Sequence, residues 1–117
     1  MQKLLLVLNA SPYGSERSLS GLRLSLALLN DPTRVQLRVF MLSDAVVTAL
    51  QGQTVAAGAS LGEMLGELLQ AGAEVFVCRT CMEARGIKTE QLIPGIAVST
   101  MPALASLTLE SDKVIGF

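Results

Sequence analysis

Cys78 and Cys81 are the only cysteines in the chain, spaced as Cys78-Arg79-Thr80-Cys81 directly after the apolar run Ala73-Glu74-Val75-Phe76-Val77. A thiol delivered where a strand gives way to a helix is ionised by backbone dipoles, and nearby cations favour the same anion. Arg79 and Arg85 are spaced to supply that charge. No other segment supports a nucleophile so well, so sulfur or redox chemistry is the first class raised. Three functions fit such a pair. One is a persulfide carrier, whose thiolate accepts sulfane sulfur and hands it to a partner thiol. Another is dithiol–disulfide exchange, suggested by Cys-x-x-Cys in an α/β pattern. The third is zinc binding, which takes about four ligands, so two thiolates complete a site only across two subunits. Plain packing competes with all three, because free cysteine behaves as a small buried hydrophobe.

Other candidates are weaker. Asn9-Ala10-Ser11-Pro12-Tyr13-Gly14-Ser15 is a turn feeding a helix start, a natural place for an anion. It lacks the Lys-Ser/Thr of a P-loop and the spacing of a dinucleotide fingerprint. Asn9, Ser11, Tyr13 and Gly14 are its candidate binding residues, with Arg79 and Thr80 between the cysteines. Asp44 either orients a polar group across the site or caps a helix, and capping is the simpler role. With three Phe, one Tyr and no Trp, the chain has few rings to sandwich a flavin, and no cofactor or metal is assigned.

Composition narrows the classes further. There is no histidine, which removes Ser-His-Asp and Cys-His catalysis and imidazole ligands. The net charge of −1 gives no electrostatic reason to bind nucleic acid. The 117 residues form one domain, 1–117, that is 50% apolar and 16% charged. So small a domain cannot hide that much apolar side chain, and the excess predicts a homo-oligomer. The N-terminal apolar run is strand-length without a cleavage pattern, and no stretch reaches the roughly 20 apolar residues of a membrane span. A cytoplasmic protein is expected.

These residues must be positioned by alternating strands and helices. The pattern predicts strands over 3–9, 35–42, 73–77, 96–99 and 112–117. Helices are predicted over 15–30, 43–50, 60–71 and 100–110, with a short irregular or helical stretch over 78–86. In the first helix, Leu19, Leu22, Leu26 and Leu29 recur at helical spacing, and Asn30-Asp31-Pro32 stops it. Ser60-Leu61-Gly62-Glu63 is a capping box, Gly72 a left-handed stop, and Thr100 a cap before Pro102. Residues 51–59 read as a mobile loop, a candidate lid. The alternation implies a mainly parallel sheet covered on both faces, with ligands at the carboxyl ends of its strands. That rule gathers residues 9–14, 43–44, 78–81 and 99–100 at one edge.

The segment Cys78-Arg79-Thr80-Cys81-Met82-Glu83-Ala84-Arg85-Gly86-Ile87 resembles the C-x-x-C-x-x-x-R-G-[IV] segment of the YchN-like branch of the DsrE/DsrF-like family. Asn9-Ala10-Ser11-Pro12-Tyr13-Gly14-Ser15-Glu16, Phe40-Met41-Leu42-Ser43-Asp44-Ala45-Val46 and Asp112-Lys113-Val114 match in register. The resemblance implies a three-layer α/β/α fold with a five-stranded sheet and a hexameric assembly. It also implies a sulfur-relay role in which Cys78 carries the persulfide, with Arg85 at the matching distance and sulfur donor and acceptor proteins as partners. Cys81 matches only the YchN-like branch. A non-enzymatic ligand-binding or assembly module and a Cys-x-x-Cys oxidoreductase stay open beside it.

Overall fold

The structure, a computed structural model, describes residues 1–54 and 60–117. The strands are β1 (Gln2–Leu8), β2 (Val35–Met41), β3 (Glu74–Cys78), β4 (Ala97–Ser99) and β5 (Lys113–Gly116). The helices are α1 (Arg17–Leu28), α2 (Leu61–Gln70), α3 (Arg79–Ala84) and α4 (Met101–Glu110). Two 3₁₀ helices, Ser43–Ala49 and Thr89–Gln91, complete the order. All five strands are parallel, in the spatial order β4-β3-β2-β1-β5. Each step from β1 to β4 moves the same way across the sheet. Right-handed crossovers therefore put α1 and α2 together on one face. The return from β4 to β5 reverses direction and sets α4 against β1 on the other. The result is the expected three-layer α/β/α fold.

The core follows from the central strands. Leu4, Leu6 and Leu8 align with Leu37, Val39 and Met41, and the last two align with Val75 and Val77, giving one buried face under α1 and α2. On the other face Leu5 and Phe40 are also buried. β1 is thus apolar without alternation because it lies between two helical layers.

Caps set the helix ends where the sequence predicts them. The Ser60 hydroxyl accepts from the Glu63 amide at 3.0 Å, and Thr100 accepts from Ala103 at 3.3 Å. Gly72 takes φ +97° after α2.

Two expectations need correction. The leucine stripe of α1 borders its buried face rather than centring on it: Leu22 is buried together with Ser18, Gly21 and Ser25, while Leu19, Leu26 and Leu29 are half-buried. Small residues win because α1 lies close on the sheet. A Cβ at Gly21 would fall 2.6 Å from Leu8 Cδ2 and 3.2 Å from the Phe117 ring. The Ser18 and Ser25 hydroxyls donate to the Ala10 and Gly21 carbonyls, so their burial leaves no orphaned group. The second correction concerns residues 43–50. They form a 3₁₀ helix, and neither Ser43 nor Asp44 caps it through a side chain. The candidate lid over 51–59 falls largely outside the described residues.

Candidate functional site

Cys78 ends β3 and is the N-cap residue of α3, so the turn from strand to helix sets its sulfur at the carboxyl edge of the sheet. The residue is 1% exposed. Its Sγ lies 3.2 Å from the Thr80 hydroxyl. Burial works against the Cys78 thiolate. Hydrogen bonds from the Thr80 hydroxyl, the Cys81 thiol and the Cys81 and Thr80 backbone amides outweigh it and hold the thiol below its ordinary value.

Cys81, one turn on, is half-buried and differs in kind. Burial pushes its thiol up, and so does Cys78, both as the acceptor of its hydrogen bond and as a neighbouring charge. The Ser43 amide and the Arg85 charge pull the other way without prevailing. The pair is therefore unequal, with Cys78 the more readily ionised thiol and Cys81 the less readily ionised one.

The surrounding contacts come from the 3₁₀ helix after β2. Ser43 N donates to Cys81 Sγ at 3.2 Å, from a backbone with φ +53°. Asp44 Oδ1 accepts from Arg85 Nε and Nη2 at 3.1 and 2.8 Å. Arg85 Nη1 also donates to the Cys81 carbonyl at 3.1 Å. Asp44 is thus an ion-pair partner rather than a cap. The Arg85 charge expected at Cys78 is felt at Cys81 instead, and Arg79 is exposed.

The turn at residues 9–14 shares the carboxyl edge but forms a separate cluster. The Asn9 amide donates to the Phe117 carbonyl at 2.8 Å, and Ser11 Oγ accepts from Tyr13 N at 3.0 Å. Gly14 takes φ +83° in this turn. The Tyr13 hydroxyl donates to Gln53 Oε1, and Gln53 Nε2 donates to the Val47 carbonyl at 2.7 Å. Among the described residues no hydrogen bond joins this cluster to the cysteines. The strand order explains the gap: β2 lies between β1 and β3, and two strand spacings come to roughly 10 Å.

Sequence reasoning placed Ser43 at this edge but read it as a helix cap, and it missed Thr48 and Gln53. Nothing local marks them, because Ser43 acts through its amide and Gln53 through partners fixed only by the fold. Among the described residues no group of three or more His, Cys, Asp or Glu is placed to hold a metal, and no helix is long and apolar enough to cross a membrane.

Known proteins bear on this arrangement. Residues 2–117 match the model of the DsrE/DsrF-like family. The chain is 42% identical to Protein YchN of Escherichia coli (strain K12) over 117 residues, covering all of both chains. It is 35% identical over 115 residues to the uncharacterized protein MJ0989 of Methanocaldococcus jannaschii, covering 98% of this chain and 99% of that one. The crystal structure of the E. coli ychN protein superposes with a TM-score of 0.95 over all of both chains. MTH1491, a protein of unknown function from Methanobacterium thermoautotrophicum, shares the fold over all of both chains at 17% identity, with a TM-score of 0.82.

Proposed function

The chain belongs to the DsrE/DsrF-like family, and from that premise we propose that it is a sulfur carrier with Cys78 as the acceptor. The Cys78 thiolate attacks the outer sulfur of a donor persulfide, R–S–SH. A new S–S bond forms, the donor's S–S bond breaks, and the donor leaves as R–S⁻, so Cys78 holds –S–SH with no net oxidation. The observation carrying this reading is the placement of Cys78 at the strand-to-helix turn, 3.2 Å from the Thr80 hydroxyl. Hydrogen bonds from Thr80 and Cys81 hold its thiol below the ordinary value there, while that of Cys81 is raised. The unequal pair also suits dithiol exchange, in which the second thiol resolves a mixed disulfide. The relay is preferred because the family resemblance fixes Arg85 and Gly86 together with Cys78. Arg85 and Asp44 brace the 3₁₀ helix against α3 and keep the Ser43 amide on Cys81.

The reading includes a homo-oligomer, a hexamer as the resemblance implies, working in the cytoplasm with protein sulfur donors and acceptors. Met101, Leu109 and Val114, exposed on α4 and β5, are the apolar surface such an assembly would cover. A second reading, a non-enzymatic module with packed cysteines, is favoured by the burial of Cys78. Intact mass after incubation with a sulfane-sulfur donor separates the two. One added sulfur atom in the wild type and none in Cys78→Ser supports the carrier. An unmodified protein whose native thiols also resist titration at neutral pH supports the module.

A further inference from the structure

At the other end of the 3₁₀ helix from the cysteines lies a small pocket, with about 40 Å³ of water-accessible room. Pro12, Tyr13, Thr48, Gln53 and the first residues of α2 line it. Thr48 is 1% exposed, and its hydroxyl has no hydrogen-bond partner among the described residues. An unsatisfied buried hydroxyl costs about 1–3 kcal/mol, so one lining a pocket calls for an occupant.

The neighbouring polar groups narrow what that occupant is. Gln53 spends its side-chain NH₂ on the Val47 and Leu50 carbonyls, and its oxygen on Tyr13. Ser60 Oγ accepts from the Glu63 amide, which leaves its own O–H free to donate. Leu61 and Gly62 begin α2, where the backbone N–H groups have no partner within the helix. The unspent hydrogens belong to two amides, the Ser60 hydroxyl and the Thr48 hydroxyl. Among the described residues no carboxylate and no cation lines the pocket.

We infer that this pocket binds a small inorganic oxyanion of sulfate or thiosulfate size. Such an ion offers only acceptors, matching a lining that offers donors, and the positive end of α2 favours its charge. The room suffices, since a single water takes about 10–15 Å³ by the same measure. Without a cation, binding rests on amides and hydroxyls and falls in the millimolar class. The site stands apart from Cys78 and does not depend on the carrier role.

The test is a titration of the full-length protein with sodium sulfate and thiosulfate, against chloride at matched ionic strength, read by amide NMR. Saturable shifts at Leu61 and Gly62 with the oxyanions and not with chloride are expected. Thr48→Val should weaken binding about tenfold or more, the loss of one hydrogen bond to a charged group, and Thr48→Ser should restore it. Cys78→Ser should titrate as the wild type does, which keeps this result separate from the carrier role. Non-saturating shifts, an equal response to chloride, or undiminished binding in Thr48→Val would overturn the assignment. Should Thr48→Val fail to fold, the wild-type titration decides alone.

Discussion

The backbone amide of Ser43 donates to the sulfur of Cys81 across 3.2 Å, and Ser43 holds φ +53° to do so. Two residues separated by 38 positions thus fix the second thiol of the pair through a conformation that side chains rarely adopt. Ser43→Gly keeps the N–H and removes the steric conflict, so its stability should equal or exceed the wild type. Ser43→Val should lose about 1–3 kcal/mol, the cost of strain at such a site. Urea denaturation of both variants measures the difference.

Alkylation against pH should give Cys78 an apparent pKa below the ordinary 9.0. Thr80→Val removes one hydrogen bond to the thiolate and should move the titration upward. The sign of the linked stability follows from the same shift. With the folded value depressed, Cys78 ionisation stabilises the protein fully above the unfolded pKa, and that contribution is lost as pH falls through the folded value. Cys81, whose folded value is raised, acts in the opposite sense: its contribution is present below the unfolded pKa and is lost as pH rises through the folded value. Iodoacetamide rates in Cys81→Ser and Thr80→Val isolate the Cys78 titration and the Thr80 contribution to it.

The Asp44–Arg85 pair has side chains 65% and 31% exposed. Its coupling in a double-mutant cycle should be about 0.2–1 kcal/mol and should shrink in high salt. Arg85→Ala should raise the Cys81 pKa further and shift Cys78 less, because the guanidinium acts on Cys81. Thiol titration of Arg85→Ala, with each cysteine replaced in turn, reads both effects.

Gly21 and Gly66 should respond oppositely to alanine. A Cβ at Gly66 meets nothing within 4 Å, and the helix gains about 0.5–1 kcal/mol. At Gly21 the new methyl collides with Leu8 Cδ2 at 2.6 Å, and overpacking costs about 1–3 kcal/mol. Thermal melts should place Gly66→Ala above the wild type and Gly21→Ala below it.

Assembly should be visible by light scattering as a mass well above the 12.3 kDa of one chain. Leu109 is 88% exposed on α4, and Val114 is 47% exposed on β5. Leu109→Glu combined with Val114→Asp should reduce the mass towards the monomer without lowering the helix signal in circular dichroism. A wild-type protein that scatters as a single chain would remove the oligomer from the proposal.

What was legible in the sequence was what is local. Ser60, Gly72, Thr100 and Pro102 signal helix ends through their own chemistry, and the Cys78–Cys81 spacing puts both sulfurs on one turn. The carboxyl-edge rule placed residues 9–14 on the correct edge but said nothing of position along it, which depends on β2 lying between β1 and β3. Periodicity marked the border of the buried face of α1 rather than its centre, because hydrophobicity marks residues that prefer burial, whereas close approach of a helix backbone selects small ones, as at Gly21. Asp44 looked like a cap because its pairing with Arg85 spans 41 positions, beyond any local signal.

The two edge strands are also the two shortest, β4 with three residues and β5 with four, and the β5 edge opens on the exposed Lys113. A short, charged margin is a poor template for another strand, so the sheet resists growing edge to edge into fibrils. In the proposed oligomer, contact between copies falls to side chains on the helices rather than to strand pairing.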